Sequence, residues 1–355
     1  MGKLRLGVIG AGSWAVASHL PNFAERRDDV EFVGVSRKGE EALGRIKDQF
    51  GFQLASEDYR DVLEAGVDIC LISSPTAFHH EHAKAAMEAG AHVLVEKPFT
   101  IDPAESWDLV SAAARLEKHI VISFGWNYRP MMREMRQLMV ERGIGEIEQM
   151  TIQMSSTTRE LLSNTGSYPQ AAEDTVPEQA TWTDPKISGG GYAQAQLSHA
   201  LGAALWLTDQ RASEAFALMS APMDAPVEMH DAITIRYENG AIGTLSGGSS
   251  HVGLDDNKHQ LEIRAIGSHG QMLIDLGRDA ATLWRDGGDT DLQLDLEPDA
   301  GVYNCEGPPN TLVDLALGRD VVNCSPGELG ARTVELLDAA YRSAASGGLV
   351  RVERG

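Results

Sequence analysis

Gly10-Ala11-Gly12-Ser13-Trp14-Ala15 is the first set of residues in this chain whose types and spacing could do chemistry. It reads G-x-G-x-x-A, directly after an apolar run and at the start of a helical segment, the setting in which such a loop holds a pyrophosphate. Gly10 permits the tight turn, Gly12 lets the phosphates approach the backbone, and Ala15 lets the helix pack closely on the sheet. Free N–H groups at the helix start then face the phosphates. Dinucleotide binding through Gly10, Ala11, Gly12, Ser13 and Trp14 is the expectation. The end of the second strand reads which dinucleotide. A ribose 2′-hydroxyl wants an Asp or Glu about 20 residues past the loop, whereas EFVGVS (31–36) runs into Ser36-Arg37-Lys38. A hydroxyl and two cations suit a 2′-phosphate, so NADP(H) is favoured over NAD(H). Glu40 and Glu41 are the competing readers of the ribose, with Arg37 and Lys38 then plain surface charges.

The elements that position this loop alternate. Apolar runs at 3–9, 31–36, 67–74, 91–97 and 119–125 are separated by helical segments at 14–23, 39–50, 79–89 and 103–118. Strands that are nearly all apolar, alternating with helices, indicate a parallel sheet covered on both faces. After Trp126 the pattern changes. A helix (130–142) leads to an alternating strand (145–156), then to a polar stretch (157–188) with Pro169, Pro177 and Pro185. A loop that long inside a compact chain is usually functional. A helix starts near Gly191, and strands follow at 214–220, 231–240, 241–248, 259–267 and 271–276. Glu238-Asn239-Gly240 and Gly267-Ser268-His269-Gly270 read as hairpin turns. Residues 286–301 read as an exposed acidic loop, and helices near 309–318 and 326–345 finish the chain. The second half is α+β with an antiparallel sheet. The expected division is 1–125 for the dinucleotide-binding domain and 126–355 for an α+β substrate-binding and oligomerisation domain.

Composition bounds the partners. The 355 residues carry 30 Lys plus Arg against 52 Asp plus Glu, a net charge of −22. Such a surface repels phosphate backbones and anionic lipids, so neither nucleic acid nor membrane is an expected partner. Cys70, Cys305 and Cys324 are too scattered for a disulfide framework or a thiolate metal cluster. His79-His80-Glu81-His82 is not H-E-x-x-H, because Lys84 stands where the second His would be. Adjacent helical side chains also diverge by about 100° and cannot converge on one ion. No metal is expected. The longest apolar candidate, 197–207, is too short to span a bilayer, and the chain meets glycine before a signal peptide could form, so a cytoplasmic location is expected.

Glu96-Lys97-Pro98 closes the fourth apolar run; Ser74-Pro75-Thr76 with His79 follows the third; Gly189-Gly190-Gly191 leads to His199. With the glycine loop, in this order and spacing, the chain resembles the Gfo/Idh/MocA family over essentially its whole length. That resemblance implies an N-terminal Rossmann domain with a doubly wound parallel sheet. It also implies a C-terminal α+β domain whose large, mostly antiparallel open sheet forms homodimers or homotetramers. The implied chemistry is NAD(P)-dependent redox at a carbinol or carbonyl of a sugar, sugar derivative or polyol. Loss of a hydride from a carbinol needs loss of the hydroxyl proton, which a positioned His can take. His199 is the candidate acid/base, and Lys97 the group that orients the oxygen and stabilises the developing alkoxide. The resemblance assigns the same roles, places Glu96 on the nicotinamide ribose, and implies a cis Lys97-Pro98 peptide. Ser74, Pro75, Thr76 and His79 are expected to line the nicotinamide pocket.

One departure stands out. Inositol-oxidising members carry an Asp four residues before this His, and here that position is Ala195. Gln196 and Tyr192, on a neighbouring stripe of the helix, could bond a polyol without charge. Further expected substrate contacts are Asn127, Tyr128 and Arg129 after Trp126, and Trp182 with Asp184 before the glycine triplet; Trp126 and Trp182 could equally pack the interface. Competing functions are redox-assisted glycoside hydrolysis, with no net cofactor reduction, and a non-catalytic nucleotide sensor.

Overall fold

The computed structural model describes residues 2–167, 178–253, 259–287 and 291–355. Six parallel strands form the first sheet: β1 (Leu4–Ile9), β2 (Val30–Ser36), β3 (Leu54–Ser56), β4 (Ile69–Ile72), β5 (His92–Val95) and β6 (Ile120–Ile122). Their order is β3-β2-β1-β4-β5-β6, a doubly wound sheet. Its faces are covered by α1 (Leu20–Ala24), α2 (Glu40–Phe50), α3 (Tyr59–Glu64), α4 (His79–Glu88) and α5 (Pro103–Leu116). Every residue of β4 is buried, as two-sided cover requires. Local chemistry sets the helix ends. Asp58 and Asp102 cap α3 and α5 by accepting from Arg60 N and Ala104 N, and Gly51 ends α2 at φ +70°.

Strand order reverses between β1 and β4. In such sheets the crevice beyond the carboxyl ends of the strands at this point is the ligand site. The glycine loop, Ser36, Ser74, Glu96 and Ser123 all follow strands at that edge.

The second half opens with α6 (Pro130–Glu141), β7 (Ile147–Ser156), α7 (Arg159–Leu162), α8 (Ala180–Thr183) and α9 (Pro185–Ser188). A π-type turn (Ala193–Leu197) enters α10 (Ser198–Thr208). The strands are β8 (Ala212–Ser220), β9 (His230–Tyr237), β10 (Ile242–Ser249), β11 (Gln260–Gly267), β12 (Gly270–Asp275), β13 (Ala280–Arg285) and β14 (Asp291–Gln293). The chain closes with α11 (Gly307–Ala316), α12 (Gly327–Ser346) and β15 (Val350–Arg351). Nine strands pair in the order β14-β13-β12-β11-β7-β10-β9-β8-β15. All pairs are antiparallel except β7 with β10. Burial alternates along β9, so one face takes the helices and the other stays open. Both expected hairpin turns are present, joining β9 to β10 and β11 to β12.

Four sequence expectations need correction. The 14–23 segment is a π-type turn (Ala15–His19) followed by α1, with Pro21 in the first turn, where its missing N–H costs nothing. β3 and α3 were not anticipated, because three half-buried residues and a six-residue helix carry too little apolar period. The 157–188 stretch holds three short helices, while Pro169 and Pro177 lie outside the described residues. The 286–301 loop contains β14 on β13, and Leu294 is buried; 288–290 lie outside the described residues.

The C-terminal segment also returns to the first sheet. Ile122 N donates to Ser325 O at 2.8 Å, and Leu312 and Val313 of α11 join Leu71, Leu94 and Val121 in one apolar cluster. A cut at 125/126 therefore separates the two sheets but not the helices that cover them.

Candidate active site

The glycine loop is held by the second strand. Gly10 N and Ala11 N both donate to Ser36 O, at 2.8 and 3.0 Å. Gly10 has φ +83°, and a Cβ there would come within 2.3 Å of the Ser74 backbone, so only glycine fits. Gly12 differs: a Cβ would meet nothing nearer than Gly10 O at 3.9 Å. The space above Gly12 is open, as the approach of a pyrophosphate requires. Trp14 Nε1 is buried with no partner, and its ring lies 6.1 Å from that of Tyr303. Arg37 leans over the loop, its Nη1 donating to Ala11 O at 3.3 Å and its Nε to Lys38 O at 3.0 Å. Burial and the nearby Arg45 push its pKa down against the attraction of Glu178. Lys38 is exposed beyond it.

At the tip of β5, Glu96 is buried and accepts from His19 Nε2 at 2.5 Å and from Lys97 N at 3.0 Å. Ser123 Oγ lies 3.4 Å from the same His19 nitrogen. Burial opposes the Glu96 charge, yet His19 and Lys97 hold it below the usual carboxylate range. The Lys97–Pro98 peptide is cis. Lys97 Nζ donates to Ala195 O at 2.8 Å and lies 5.8 Å from the Trp182 ring centre. Burial lowers its pKa, partly countered by Glu96.

Ala195 belongs to the π-type turn that enters α10, so the first and second halves meet through Lys97. Single π-type turns of this kind recur at functional sites. The turn also breaks the even 3.6-residue spacing on which the expected stripes of Ala195, Gln196 and Tyr192 relied. His199, in the first turn of α10, is buried among aromatic edges: Trp126 at 5.6 Å, Tyr303 at 5.0 Å and Phe124 at 6.4 Å. Its Nδ1 has no partner. Burial, then Lys97, then His259 push its pKa well below the ordinary histidine value, so the ring is neutral. A neutral imidazole beside an ammonium is the pair that proton removal and alkoxide stabilisation need.

Other expected residues fall elsewhere. His79 is buried with Nε2 2.7 Å from Ser74 O and Nδ1 3.0 Å from Pro98 O, which braces the β4 loop against the β5 loop. Ser74 Oγ is bonded to His82 Nδ1 at 2.9 Å, and Pro75 and Thr76 run beside it. Three expected substrate contacts are bonded to distant parts of the chain, although Asn127 Oδ1 is buried without a partner. Asn127 Nδ2 donates to Cys324 O at 2.9 Å, and Tyr128 Oη pairs with Ser325 Oγ at 2.7 Å. Arg129 Nε donates to Ala300 O at 3.0 Å. Tyr192 is fully buried, accepting from Ser156 Oγ at 3.2 Å and donating to Met154 O at 3.3 Å, and so faces the sheet. Asp184 caps α9 through Lys186 N. Gln196 is buried beside Ala195 in the turn.

Sequence reading missed His19, Tyr303, Cys305 and His259. Cys305 Sγ donates to Tyr303 Oη at 3.3 Å, and burial with the Glu96 charge pushes its thiol to about 12. His259 packs edge-on to Trp126 at 5.5 Å, and burial and Lys97 lower it to about 4. Only His19 had a sequence signal, as a histidine seven residues past Gly12 in an otherwise apolar helix start.

Comparison with known proteins agrees with this layout. Residues 4–124 match the oxidoreductase family's NAD-binding Rossmann fold, and residues 132–273 match the GFO/IDH/MocA C-terminal domain. The chain is 24% identical over 323 residues to an uncharacterised oxidoreductase, YfiI, of Bacillus subtilis, covering 86% of this chain and 76% of that one. It is 27% identical over 205 residues to a D-glucoside 3-dehydrogenase of Escherichia coli, spanning 58% of this chain and about half (54%) of that relative. A levoglucosan dehydrogenase solved with NADH and levoglucosan shares the fold at TM-score 0.78 and 19% identity, covering 99% of this chain and 100% of that one.

Proposed function

Because the chain belongs to the Gfo/Idh/MocA family of NAD-binding oxidoreductases, we propose that it acts on a carbinol or carbonyl of a sugar, sugar derivative or polyol. The observation that carries this reading is the meeting of Lys97 and His199 across the two halves: Lys97 Nζ bonds the carbonyl of Ala195, in the turn leading into His199's helix. The nicotinamide, when bound, accepts or returns the hydride. Gly10 to Trp14 hold its phosphates, with open space at Gly12 and the unpartnered Trp14 Nε1 as the fitting features. Ser74, Pro75, Thr76, Glu96 and Pro98 line the ring end, and His79 fixes their loops. Lys97 orients the substrate oxygen and stabilises it as an alkoxide. His199, neutral and with a free ring nitrogen, takes the hydroxyl proton in oxidation and gives it back in reduction.

NADP(H) is the favoured cofactor. Ser36 ends β2 with Arg37 and Lys38 just beyond it, and Arg37 sits above the loop within the field of Arg45, a cation pair that a 2′-phosphate relieves. Glu41, the competing ribose reader, is engaged by Arg45 at 2.7 Å. Trp182 and Gln196 are the remaining substrate contacts in this reading. A homodimer or homotetramer through the open sheet is part of the proposal, supported by exposed Leu218 and Ile242 on β8 and β10, as is a cytoplasmic location. Among the described residues no helix is long and apolar enough to cross a membrane.

The test is a panel of sugars, inositols and keto-sugars offered with NADP⁺, NAD⁺ and their reduced forms. The expected result is net cofactor reduction by at least one carbinol, with deuterium from a labelled carbinol recovered in the cofactor. Aglycone release without net reduction would instead mean glycoside hydrolysis. Tight cofactor binding with no turnover in either direction would mean a sensor.

A further inference from the structure

Two π-type turns occur among the described residues, Ala15–His19 and Ala193–Leu197, and one hydrogen-bonded chain joins them. The first turn continues the glycine loop and ends on His19, which is wholly buried. His19 Nε2 lies 2.5 Å from Glu96 Oε1, and Glu96 Oε2 accepts from Lys97 N at 3.0 Å. Lys97 Nζ then donates to Ala195 O, inside the second turn, at 2.8 Å. Turns of this type are rare and recur at functional sites.

The two ring nitrogens define what His19 does. Its Nδ1 is buried without a partner. A neutral ring with its proton on Nδ1 would bury an unmade donor and set a bare Nε2 lone pair against the ionised Glu96. Nε2 therefore carries a proton and donates it to Glu96. Glu96 is itself buried and needs donors for its charge; His19 serves one oxygen and the Lys97 N–H the other. His79, also buried, bonds only backbone carbonyls.

We propose that His19 is a positioning residue for the reaction: by holding Glu96 it fixes the tip of β5, and so the direction in which Lys97 presents its ammonium. The proposal rests on the reading of Lys97 as the group that acts on the substrate oxygen. Without the Nε2 donor, one Glu96 oxygen is buried and unmade, and the carboxylate gains by turning towards the Lys97 ammonium, whose charge already acts on it. That turn draws Nζ off the substrate oxygen, and a misplacement of about 1 Å at a reacting group can cost about 10²-fold in rate. Backbone N–H groups of the glycine loop hold the phosphates, so cofactor affinity does not follow the loss.

The test uses NADPH and the best substrate of the panel. His19→Leu and His19→Asn remove the donor from the Nε2 position, whereas His19→Gln keeps an amide N–H there. The first two are expected to lower kcat about 10²-fold with the KM for NADPH within about threefold of wild type, and His19→Gln to restore kcat to within about tenfold. His19→Leu added to Glu96→Gln should cause little further loss, because the two act in series. In protein carrying isotope-labelled histidine, the His19 Nε2–H proton, identified by its absence in His19→Gln, should resonate at low field and move upfield in Glu96→Gln. Wild-type kcat in His19→Leu or His19→Asn, equal losses in Asn and Gln, or losses that add to that of Glu96→Gln overturn the proposal. So does a resonance indifferent to Glu96→Gln. Turnover that survives in Lys97→Met overturns the reading of Lys97 instead; the resonance needs no turnover, so the two failures are told apart.

Discussion

The phosphate loop and the helix that carries His199 specify function by different means. At the loop the chemistry is in the backbone. Gly10 is needed because the Ser74 backbone leaves no room for a side chain, and Gly12 leaves open space above the backbone. Both demands fall on adjacent residues, so the signature is contiguous. At the second region the chemistry is in side chains gathered from five places: Lys97 after β5, Trp126 after β6, His199 on α10, His259 at β11 and Tyr303 before α11. Two buried histidines show the contrast. His79 has backbone carbonyls at both ring nitrogens and acts as a brace, whereas His199 keeps Nδ1 unpartnered among aromatic edges. Burial lowers the pKa of both, so the free nitrogen, and not the shift, distinguishes the two.

Substitutions can break this contrast. The largest effect is expected at the loop, where Gly10→Ala forces a Cβ within 2.3 Å of Ser74 at positive φ. It should cost more than about 3 kcal/mol or prevent folding, as seen by denaturant unfolding. Gly12→Ala should unfold like the wild type and yet bind NADPH at least about tenfold more weakly, because its Cβ occupies ligand space and not protein space. Across the cleft, His199→Asn should lower kcat by about 10²- to 10⁴-fold with cofactor affinity and melting temperature nearly unchanged. A structural role would show the reverse.

A smaller effect concerns stability and pH beneath the same helix. Glu228 caps the turn that enters α10, accepting from Gly191 N and Ala193 N, and Asp231 lies near it with both carboxylate oxygens buried and unpartnered. Burial first, and Glu228 second, push the Asp231 pKa up to about 8. Its folded pKa exceeds its unfolded value, so the folded state binds more protons and stability is lost as pH rises from about 4 towards 8. The upper half of that window is the clean one, because His82, His92 and His259, lowered to about 4, act with opposite sign only below about 6.5. Asp231→Asn should therefore remove on the order of 2 kcal/mol of the loss measured by unfolding between pH 6.5 and pH 8. The smallest effect is at Arg37. Arg37→Ala should weaken NADPH about tenfold and NADH little, and equal losses would contradict the 2′-phosphate reading.

How much was legible follows the same contrast. Contiguous signals carried the first sheet: all-apolar strands, the glycine loop and the Glu96-Lys97-Pro98 tip gave its strand pattern and cofactor edge. Lys97 and His199 also stand out in the sequence as candidates, because each sits at a marked position beside a recognisable triplet. His259 and Tyr303 were not, since each is an ordinary strand or loop residue until the sheet and α11 carry it to Trp126. Tyr192 and Asn127 show the opposite case. Their types suit a polyol, but Met154 and Ser156 engage the Tyr192 hydroxyl and Cys324 engages the Asn127 amide nitrogen, which leaves Asn127 Oδ1 unpartnered. The π-type turn before α10 was invisible as well, because residue type alone does not announce a change of helical spacing.

The central claim is that Lys97 acts on substrate and not on the fold or the dinucleotide. It is tested most directly by pairing, in Lys97→Met, a fluorescence titration of NADPH with the turnover rate on the best substrate of the panel. The expected result is cofactor affinity within about threefold of wild type and turnover lower by about 10²- to 10³-fold or more. Loss of NADPH binding alongside turnover, or turnover that survives, would contradict it.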